Sequence, residues 1–560
     1  MKSLFYTLSK RVASLVERAK MTEHTFMVLV ALIIGTLAGF GAIGIRAMIK
    51  EVSVLFFRGE GNLLQNIMTS PWYVILLAPA LGGLLVGPII YFLAREAKGH
   101  GVPEVMQSII MKGGSIRPRV AIIKAIASSI TIGTGGSVGR EGPIVQIGAS
   151  LGSTIGQFFR VSTQRMKTFV ACGAAAGIAA AFNAPIAGAL FAVEIILGDF
   201  GFTQFSPIVI ASVMATVVSH QFEGNFAAFQ VPTYQLKSPY ELLFYFVLAF
   251  LCAGVAYMFI KSLYWSEDFF EDRIKIPEYL QPALGGLLIG AMALMFPQIM
   301  GVGYDSINNA LHGDTIWHLA FILIFLKIIA TSITLGSGGS GGIFAPSLFL
   351  GAMTGVGFGS FIHDYFPGIA ATPGAYALVA MGGLVAATTH APITAIIIVF
   401  ELTFDYHIIL PLMIVCIIST IVSQKLSRES IYTLKLLQRN IHIKDGAEIN
   451  VMKSIFVKDV YTTHAETIPV TATFDQVVNH LISGKDPYSP VLDNKGRLYG
   501  IISMHDVKDY LFERDILQNV LIASDIANTD VSTVTPEDNC QEVLDIISRY
   551  DLEGMPVVDI

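Results

Sequence analysis

The 560 residues are 53% hydrophobic and only 14% charged, whereas soluble globular proteins carry about 25% charged residues. This composition excludes a wholly soluble chain. The net charge of −6 and the lack of a basic stretch give no reason to expect nucleic acid as a partner. The four cysteines have neither a metal-type spacing nor a disulfide pattern, so they are interpreted as packing residues, and no metal or cofactor is expected.

The first 24 residues precede the first apolar run. Five basic residues and a single acid, Glu17, occupy the first 20 positions, and there is no sustained apolar core or cleavage site of a signal peptide. We predict a cytosolic amphipathic helix over 1–24. Its positive charge indicates that the N-terminus lies in the cytoplasm.

From about 25 to 423 the sequence is a series of apolar segments broken by glycine. A membrane span needs about 20 apolar residues. Four segments are long enough: 26–49, 72–94, 242–260 and 316–333. Several others are shorter: 143–158, 169–181, 185–197 and 392–402. Short, interrupted segments bring backbone ends into the bilayer interior, so the pattern predicts an all-α polytopic membrane unit with many broken helices.

The membrane region contains an internal repeat. PALGGLL occurs at 79–85 and again at 282–288, an offset of 203, and ten of the 14 residues at 124–137 recur at 327–340. Glu194 has its counterpart in Glu401. We therefore predict two copies of one unit, over 25–230 and 231–432. Sequence identity alone leaves open whether the copies are parallel or inverted.

A glycine-rich loop at 133–142 precedes a predicted helix that starts near Pro143. Such a helix start carries about half a positive charge and binds anions. Glu141 lies within this loop, where an ionised carboxylate would compete with an anion and a protonated one would swing away. Arg140 adds positive charge. The alternative is a tight loop with a solvated ion pair.

Two further loops have the same character. In the second copy, 336–346 repeats the architecture without a carboxylate, and the amides of Ile343 and Phe344 would complete an anion site. A third glycine turn, 99–104, follows the span that ends near Ala94 and would also present amides at a helix start.

Together these loops resemble the three motifs of the CLC family of chloride channels and proton-coupled chloride transporters, GSGIP, GREGP and GxFxP. This chain has GHGVP at 99–103, GREGP at 139–143 and GIFAP at 342–346. The resemblance implies a homodimer of inverted repeats with one pore per subunit. It implies that Glu141 is the gating and proton-accepting glutamate. It further implies that an anion is held around residues of the three motifs and a tyrosine after the last span: His100, Gly101, Gly139, Arg140, Gly142, Gly342, Ile343, Phe344 and Tyr432. For Tyr432, a tyrosine of the membrane interface is the alternative.

The chain departs from the family pattern at two positions. His100 replaces the pore serine, so it could alter anion preference or pH response, unless its side chain points aside and only the backbone matters. Ile195 occupies the position of the second acid that relays protons in coupled members. An uncoupled channel, or a proton route through Glu194 or water, would fit; Glu194 could also be a water-facing acid at a helix end. Lys124 and Lys327 could draw anions inward.

After a linker at 433–455 the sequence becomes charged and alternates between strand and helix patterns, with a DNKG turn at 493–496. The segments 456–514 and 515–560 are similar to a CBS module and a partial second one. Ser503 and Asp506 match positions that hold a nucleotide in some CBS modules, so an adenine nucleotide is one hypothesis. Packing between the tails of a dimer is the other.

The sequence therefore predicts a multi-pass protein of the plasma or inner membrane, with a cytoplasmic tail. It would move chloride or a similar small anion through a pore in each subunit as an uncoupled or weakly coupled permease. A proton-coupled antiporter is the alternative. A magnesium transporter would need more carboxylates, and no intramembrane enzyme motif appears, so neither is favoured and no enzymatic activity is expected.

Overall fold

The computed structural model describes residues 22–59, 63–199, 201–224, 229, 231–232, 234, 236–439, 441, 455–462, 465–484, 488–508, 510, 520–550 and 554–559. The chain divides into two compact units, Met1–Gly446 and Ala447–Ile560. Most of the helix predicted over 1–24 and most of the linker predicted over 433–455 lie outside the described residues. Of the described parts, Glu23 and His24 belong to a helix that begins at Glu23, and Thr433–Gln438 form a short helix.

The first unit is helical, as predicted. Its first half contains helices α1 (Glu23–Phe57), α2 (Leu63–Thr69), α3 (Trp72–Leu93), α4 (Val102–Lys112), α5 (Arg119–Gly133), α6 (Glu141–Phe159), α7 (Thr163–Phe182), α8 (Pro185–Phe191) and α9 (Phe202–Glu223). Its second half contains helices α10 (Glu241–Asp268), α11 (Gln281–Ala293), α12 (Tyr304–His312), α13 (Trp317–Gly336), α14 (Phe344–Tyr365), α15 (Pro373–Thr389), α16 (Pro392–Thr403), α17 (Ile409–Leu426) and α18 (Thr433–Gln438). A π-helical turn, Ala192–Leu197, continues α8.

Seven helices in the described part of the chain are long and apolar enough to cross a membrane. The sequence prediction missed three of them, α9, α14 and α17. In α14 glycine, threonine and histidine dilute the hydropathy, and 78% of its most apolar window is buried inside the protein. Since this helix is surrounded by other helices, it does not need the uniformly apolar surface of a lipid-facing span.

The two copies of the repeat pack against each other reciprocally. A Cβ atom added to Gly83 of α3 would lie 2.1 Å from the carbonyl oxygen of Pro282, and one added to Gly286 of α11 would lie 2.1 Å from that of Pro79. At the repeat offset of 203, Gly83 corresponds to Gly286 and Pro79 corresponds to Pro282, so each glycine contacts the counterpart of the other's partner. Reciprocal contacts of this kind are typical of two units that are related by a two-fold axis. Glycine at these positions lets the two helix backbones approach closely.

The second unit contains a three-stranded sheet with the order β1 (Ile468–Pro469), β2 (Tyr488–Leu492) and β3 (Leu498–Ser503). Strands β1 and β2 are parallel, and β2 and β3 are antiparallel. The helices of this unit are α19 (Phe474–Ser483), α20 (Met504–Lys508), α21 (Ala523–Ile526) and α22 (Cys540–Tyr550). Alternating residues of the strands meet the apolar face of α19 in a small core that includes Phe474, Val477, Val491 and Ile502.

The predicted turn between β2 and β3 is present. The Asp493 carboxylate accepts hydrogen bonds from the backbone N–H groups of Lys495 and Arg497, both at 2.8 Å, and Gly496 has a φ of 76°. The Arg497 N–H is the main cause of the lowered pKa of Asp493, because it stabilises the ionised form. The turn thus sets the register of the hairpin.

Candidate anion site

The three glycine loops meet at one place, although they are up to about 240 residues apart in sequence. Gly139 N–H donates to the Gly342 carbonyl at 2.7 Å, and Gly342 N–H donates to the Gly139 carbonyl at 2.6 Å. Gly99 N–H donates to Gly339 O at 3.1 Å, so the third loop joins the other two. The convergence on which the anion-site hypothesis depended is therefore present.

Glycine is required where these loops touch. A Cβ atom at Gly142 would lie 2.3 Å from the His100 carbonyl oxygen and 3.0 Å from the Gly342 Cα. Gly101 has a φ of 84°, a left-handed conformation that other residues rarely adopt. The motif glycines therefore serve close backbone contact between the repeats.

Helices α6 and α14 both begin at this junction. The first backbone hydrogen bonds of their ladders are donated by Ile144 to Arg140 O, at 3.1 Å, and by Ser347 to Ile343 O, at 3.0 Å. The amides ahead of these donors have no acceptor within their own helix, and they carry the positive end of the helix dipole. They include the amides of Glu141, Gly142, Ile343 and Phe344.

Two of the predicted anion donors have a different role. The amides of Gly139 and Gly342 are already donated to each other's carbonyls. In this arrangement they do not face an anion. The two glycines form an isolated antiparallel bridge between their loops, and this bridge uses the amides that were expected to bind an anion.

Glu141 is 1% exposed, and its carboxylate folds back over its own loop. A Cβ atom at Gly139 would lie 2.2 Å from Glu141 Oε2. The Tyr304 hydroxyl donates to Glu141 Oε1 at 2.8 Å, whereas Oε2 has no hydrogen-bond partner within the described residues. The guanidinium of Arg140 lies 5.3 Å from the centre of the Tyr304 ring.

His100 and Tyr432 lie together on another side of the junction. Their ring centroids are 5.9 Å apart, and the two residues are 3% and 2% exposed. Tyr432 therefore has the burial of a core residue, unlike a tyrosine at a lipid interface. Neither ring nitrogen of His100 has a hydrogen-bond partner within the part of the chain that the structure describes. A buried imidazole without a partner is costly unless a ligand or water binds it.

A cavity of about 220 Å³ opens beside His100. Its lining includes charged residues that form ion pairs: Lys98 with Glu271 at 3.0 Å and with Glu278 at 3.4 Å, Lys435 with Glu267, and Arg439 with Glu104 at 2.7 Å. The pairs leave the cavity wall polar but close to neutral.

The two buried lysines differ from expectation. Lys124 donates to Gly99 O at 2.7 Å and to Ala97 O at 3.1 Å, whereas Lys327 donates to Ile299 O at 2.9 Å and to Gly301 O at 3.0 Å. Both are fully buried, so neither faces a vestibule from which it could draw anions. Each side chain instead donates to two carbonyls of a glycine turn, which offsets part of the cost of burying it.

Tyr304 was not identified from the sequence. Its turn, Gly301-Val302-Gly303-Tyr304, stands 202 residues after Gly99-His100-Gly101-Val102 and is anchored by the matching lysine. The repeat offset was therefore a usable signal. The residue type at this position gave no signal, because Tyr304 corresponds to Val102 in the first copy and belongs to no motif.

Glu194 and Glu401 cap helices of the opposite repeat. The Glu194 carboxylate accepts hydrogen bonds from Ile393 N at 3.2 Å and from Thr394 N at 2.7 Å, at the start of α16. Glu401 accepts from Ile186 N at 3.0 Å and Ala187 N at 2.7 Å, at the start of α8. Glu194 is therefore engaged by a helix N-terminus, and its carboxylate is not a free acid facing water.

In the second unit, Ser503 and Asp506 satisfy each other. Ser503 donates to Asp506 Oδ2 from its hydroxyl at 2.6 Å and from its backbone N–H at 2.8 Å. Asp506 thus supports the start of α20. In this arrangement the pair contributes to local structure, and a nucleotide would have to compete with these bonds.

The comparisons with known proteins agree with this architecture. The sequence profile of the voltage gated chloride channel family matches residues 82–424, and that of the CBS domain matches 457–513 and 523–560. A ClcB-like chloride channel protein of Ralstonia nicotianae is 35% identical over 418 residues, which cover 74% of this chain and 97% of that protein. The chain therefore belongs to the voltage gated chloride channel family, an integral membrane family of channels and transporters.

Two solved structures resemble the fold. A slow cyanobacterial Cl⁻/H⁺ antiporter superposes with a TM-score of 0.68 at 26% identity, covering 75% of this chain and 99% of that one. A eukaryotic CLC transporter has a TM-score of 0.66 at 19% identity and covers 99% of this chain and 96% of that one. These matches confirm the predicted fold class, a CLC-type helical membrane unit followed by a small α/β CBS tail.

Proposed function

We propose that this protein moves chloride or a similar small anion through a pore in each subunit, with Glu141 as the gate. The observation that carries the proposal is the convergence of the α6 and α14 starts on one buried point, where the Glu141 carboxylate lies. Unpaired amides at two helix starts favour a negative charge there. The carboxylate occupies the place that such amides would otherwise offer to an anion.

His100 and Tyr432 complete the anion path on the side of the 220 Å³ cavity. The unpartnered imidazole can donate one hydrogen bond to an anion when it is neutral. The paired charges of the cavity wall keep this entrance hydrated without holding anions tightly. A conducting site must bind an ion favourably enough to admit it and weakly enough to release it.

We favour uncoupled or weakly coupled movement. Ile195 is 7% exposed and has no group that carries a proton, and the oxygens of Glu194 are engaged by the start of α16. The alternative, a proton-coupled antiporter with another internal route, is favoured by the resemblance to the cyanobacterial Cl⁻/H⁺ antiporter. We also propose that the protein is a homodimer of the plasma or inner membrane, with its N-terminus and CBS tail in the cytoplasm.

The test is chloride efflux from liposomes containing the full-length protein, recorded together with external pH. We expect efflux that rises as the pH falls, because protonation of Glu141 frees the anion position. Glu141→Gln should give efflux that no longer depends on pH between about pH 4 and 8, since glutamine cannot ionise. Efflux of the variant that kept the wild-type pH dependence would contradict the gate.

The same recordings separate the two modes of transport. Chloride efflux without proton counter-movement indicates a channel-like permease. Protons driven uphill by a chloride gradient indicate an antiporter, and this movement should be lost in Glu141→Gln. Wild-type liposomes that release no chloride at any pH would refute anion transport altogether.

A further inference from the structure

Tyr304 is the one described residue that forms a hydrogen bond with the Glu141 carboxylate. Its hydroxyl lies 2.8 Å from Glu141 Oε1, and its backbone begins helix α12. The turn before it is held by Lys327, which donates to the Gly301 carbonyl at 3.0 Å. The hydroxyl is therefore presented from an anchored position, which fixes where the carboxylate can be held.

The Tyr304 ring is itself packed on two sides. Phe229 meets it edge to face with ring centroids 5.3 Å apart, and the Arg140 guanidinium lies 5.3 Å from its centre. These contacts involve the ring and do not need the hydroxyl. The hydroxyl can therefore donate to Glu141 without disturbing these contacts, and its removal leaves the packing of the ring in place.

From this geometry we infer that Tyr304 is a positioning residue for the gate: its hydroxyl holds the ionised Glu141 carboxylate in the buried, closed position. A hydrogen bond to a charged acceptor is about twice as strong as one to a neutral acceptor. Protonation of Glu141 therefore weakens the bond at the moment when the gate must leave. The inference rests on the proposed function, because it needs Glu141 to be the gate.

Other charged and titratable groups surround this pair, and they are separate from the hydroxyl. Arg46 of α1 interacts electrostatically with both Glu141 and Tyr304, and it is itself paired with Glu223 of α9. Arg140 and Tyr432 also face the pair. Asp305, the next residue of α12, accepts a hydrogen bond from Leu64 N at 3.4 Å. These groups act equally in wild type and in a variant that lacks only the hydroxyl.

The test compares Tyr304→Phe with wild type in chloride-loaded liposomes across a pH series. Removal of the hydroxyl makes the ionised, closed form less favourable, so protonation should open the gate more easily. We expect the pH of half-maximal efflux to rise by about one unit, the size of a lost charge-assisted hydrogen bond. Efflux at neutral pH should increase several-fold.

Tyr234→Phe is the matched control. The Tyr234 hydroxyl is also buried, and it donates to the Leu311 carbonyl near the other end of the same helix, α12. This variant loses the same atom but has no contact with Glu141, so its pH profile should match that of wild type. The thermal stability of both variants in detergent shows whether either change disturbs the fold.

A double variant separates the two hypotheses. In Glu141→Gln, efflux is expected to be independent of pH, and adding Tyr304→Phe should change it little. Wild-type efflux with a normal pH dependence that Tyr304→Phe leaves unmoved, or moves to lower pH, would overturn the inference while leaving the proposed function intact. Absence of chloride efflux in wild type would instead refute the proposed function.

Discussion

His100 is one of the two departures from the family pattern, and its effect depends on one imidazole. It is 3% exposed, both of its nitrogens lack partners within the described residues, and it stands beside Tyr432 at the end of a polar cavity. A buried donor in such a place contributes to anion binding only if the anion takes its hydrogen bond. The alternative, in which only the backbone matters, predicts no effect from the ring.

His100→Leu tests this role, because leucine fills much of the space but cannot donate. We expect chloride efflux to fall about five- to tenfold, which corresponds to about 1–1.4 kcal/mol for one lost hydrogen bond. The measurement is best made in the Glu141→Gln background, where the gate does not limit the rate. His100→Ser retains a hydroxyl donor and should lose much less. Equal efflux from all three proteins would show that the ring is not on the path.

At the scale of helices, the contact between α3 and α11 depends on glycine. A Cβ atom added to Gly286 would lie only 2.1 Å from the carbonyl oxygen of Pro79. Because this oxygen belongs to a helix backbone, it cannot move aside unless the helix moves with it. Helix pairs inside membranes gain their attraction from such close approach. The PALGGLL repeat is therefore a packing motif of the interface between the two copies.

Gly286→Ala should lower stability by about 1–3 kcal/mol, the usual cost of forcing extra volume into a packed contact. The readout is the temperature at which the detergent-solubilised protein loses its monodisperse elution peak. Gly254→Ala in α10 is the control, because no atom lies within 4 Å of an added Cβ atom there. An equal effect of the two substitutions would contradict the close contact.

For the whole molecule, the central question is its assembly. The family resemblance implies two subunits, each with its own pore, and we expect the full chain to behave in the same way. In lipid nanodiscs the protein should have a mass of roughly twice 60.5 kDa after subtraction of the lipid and scaffold. Native mass spectrometry measures this directly. A single-chain mass at every protein concentration would contradict the dimer, while leaving a pore within each subunit tenable.

The sequence alone was sufficient for the class of fold and for the three glycine loops that the structure brings together. Apolar segments of limited length, a repeat at an offset of 203 and three glycine motifs are local patterns, and each has a direct physical meaning. Burial inside the protein explains only the missed span α14, because 78% of its most apolar window is buried, against 39% for both α9 and α17. The apolar windows of α9 and α17 are present in the sequence itself, so these two spans did not need the tertiary structure to be found.

Only the tertiary structure decided which groups are already engaged. The amides of Gly139 and Gly342 donate to each other's carbonyls. Lys124 and Lys327 donate to backbone carbonyls, and Glu194 caps a helix of the other repeat. Tyr304 reaches Glu141 across 163 positions of sequence. A hydrogen bond depends on where two atoms meet in space. The repeat offset could relate the turn of Tyr304 to the turn at 99–102, but only the packing decided that its hydroxyl meets the Glu141 carboxylate.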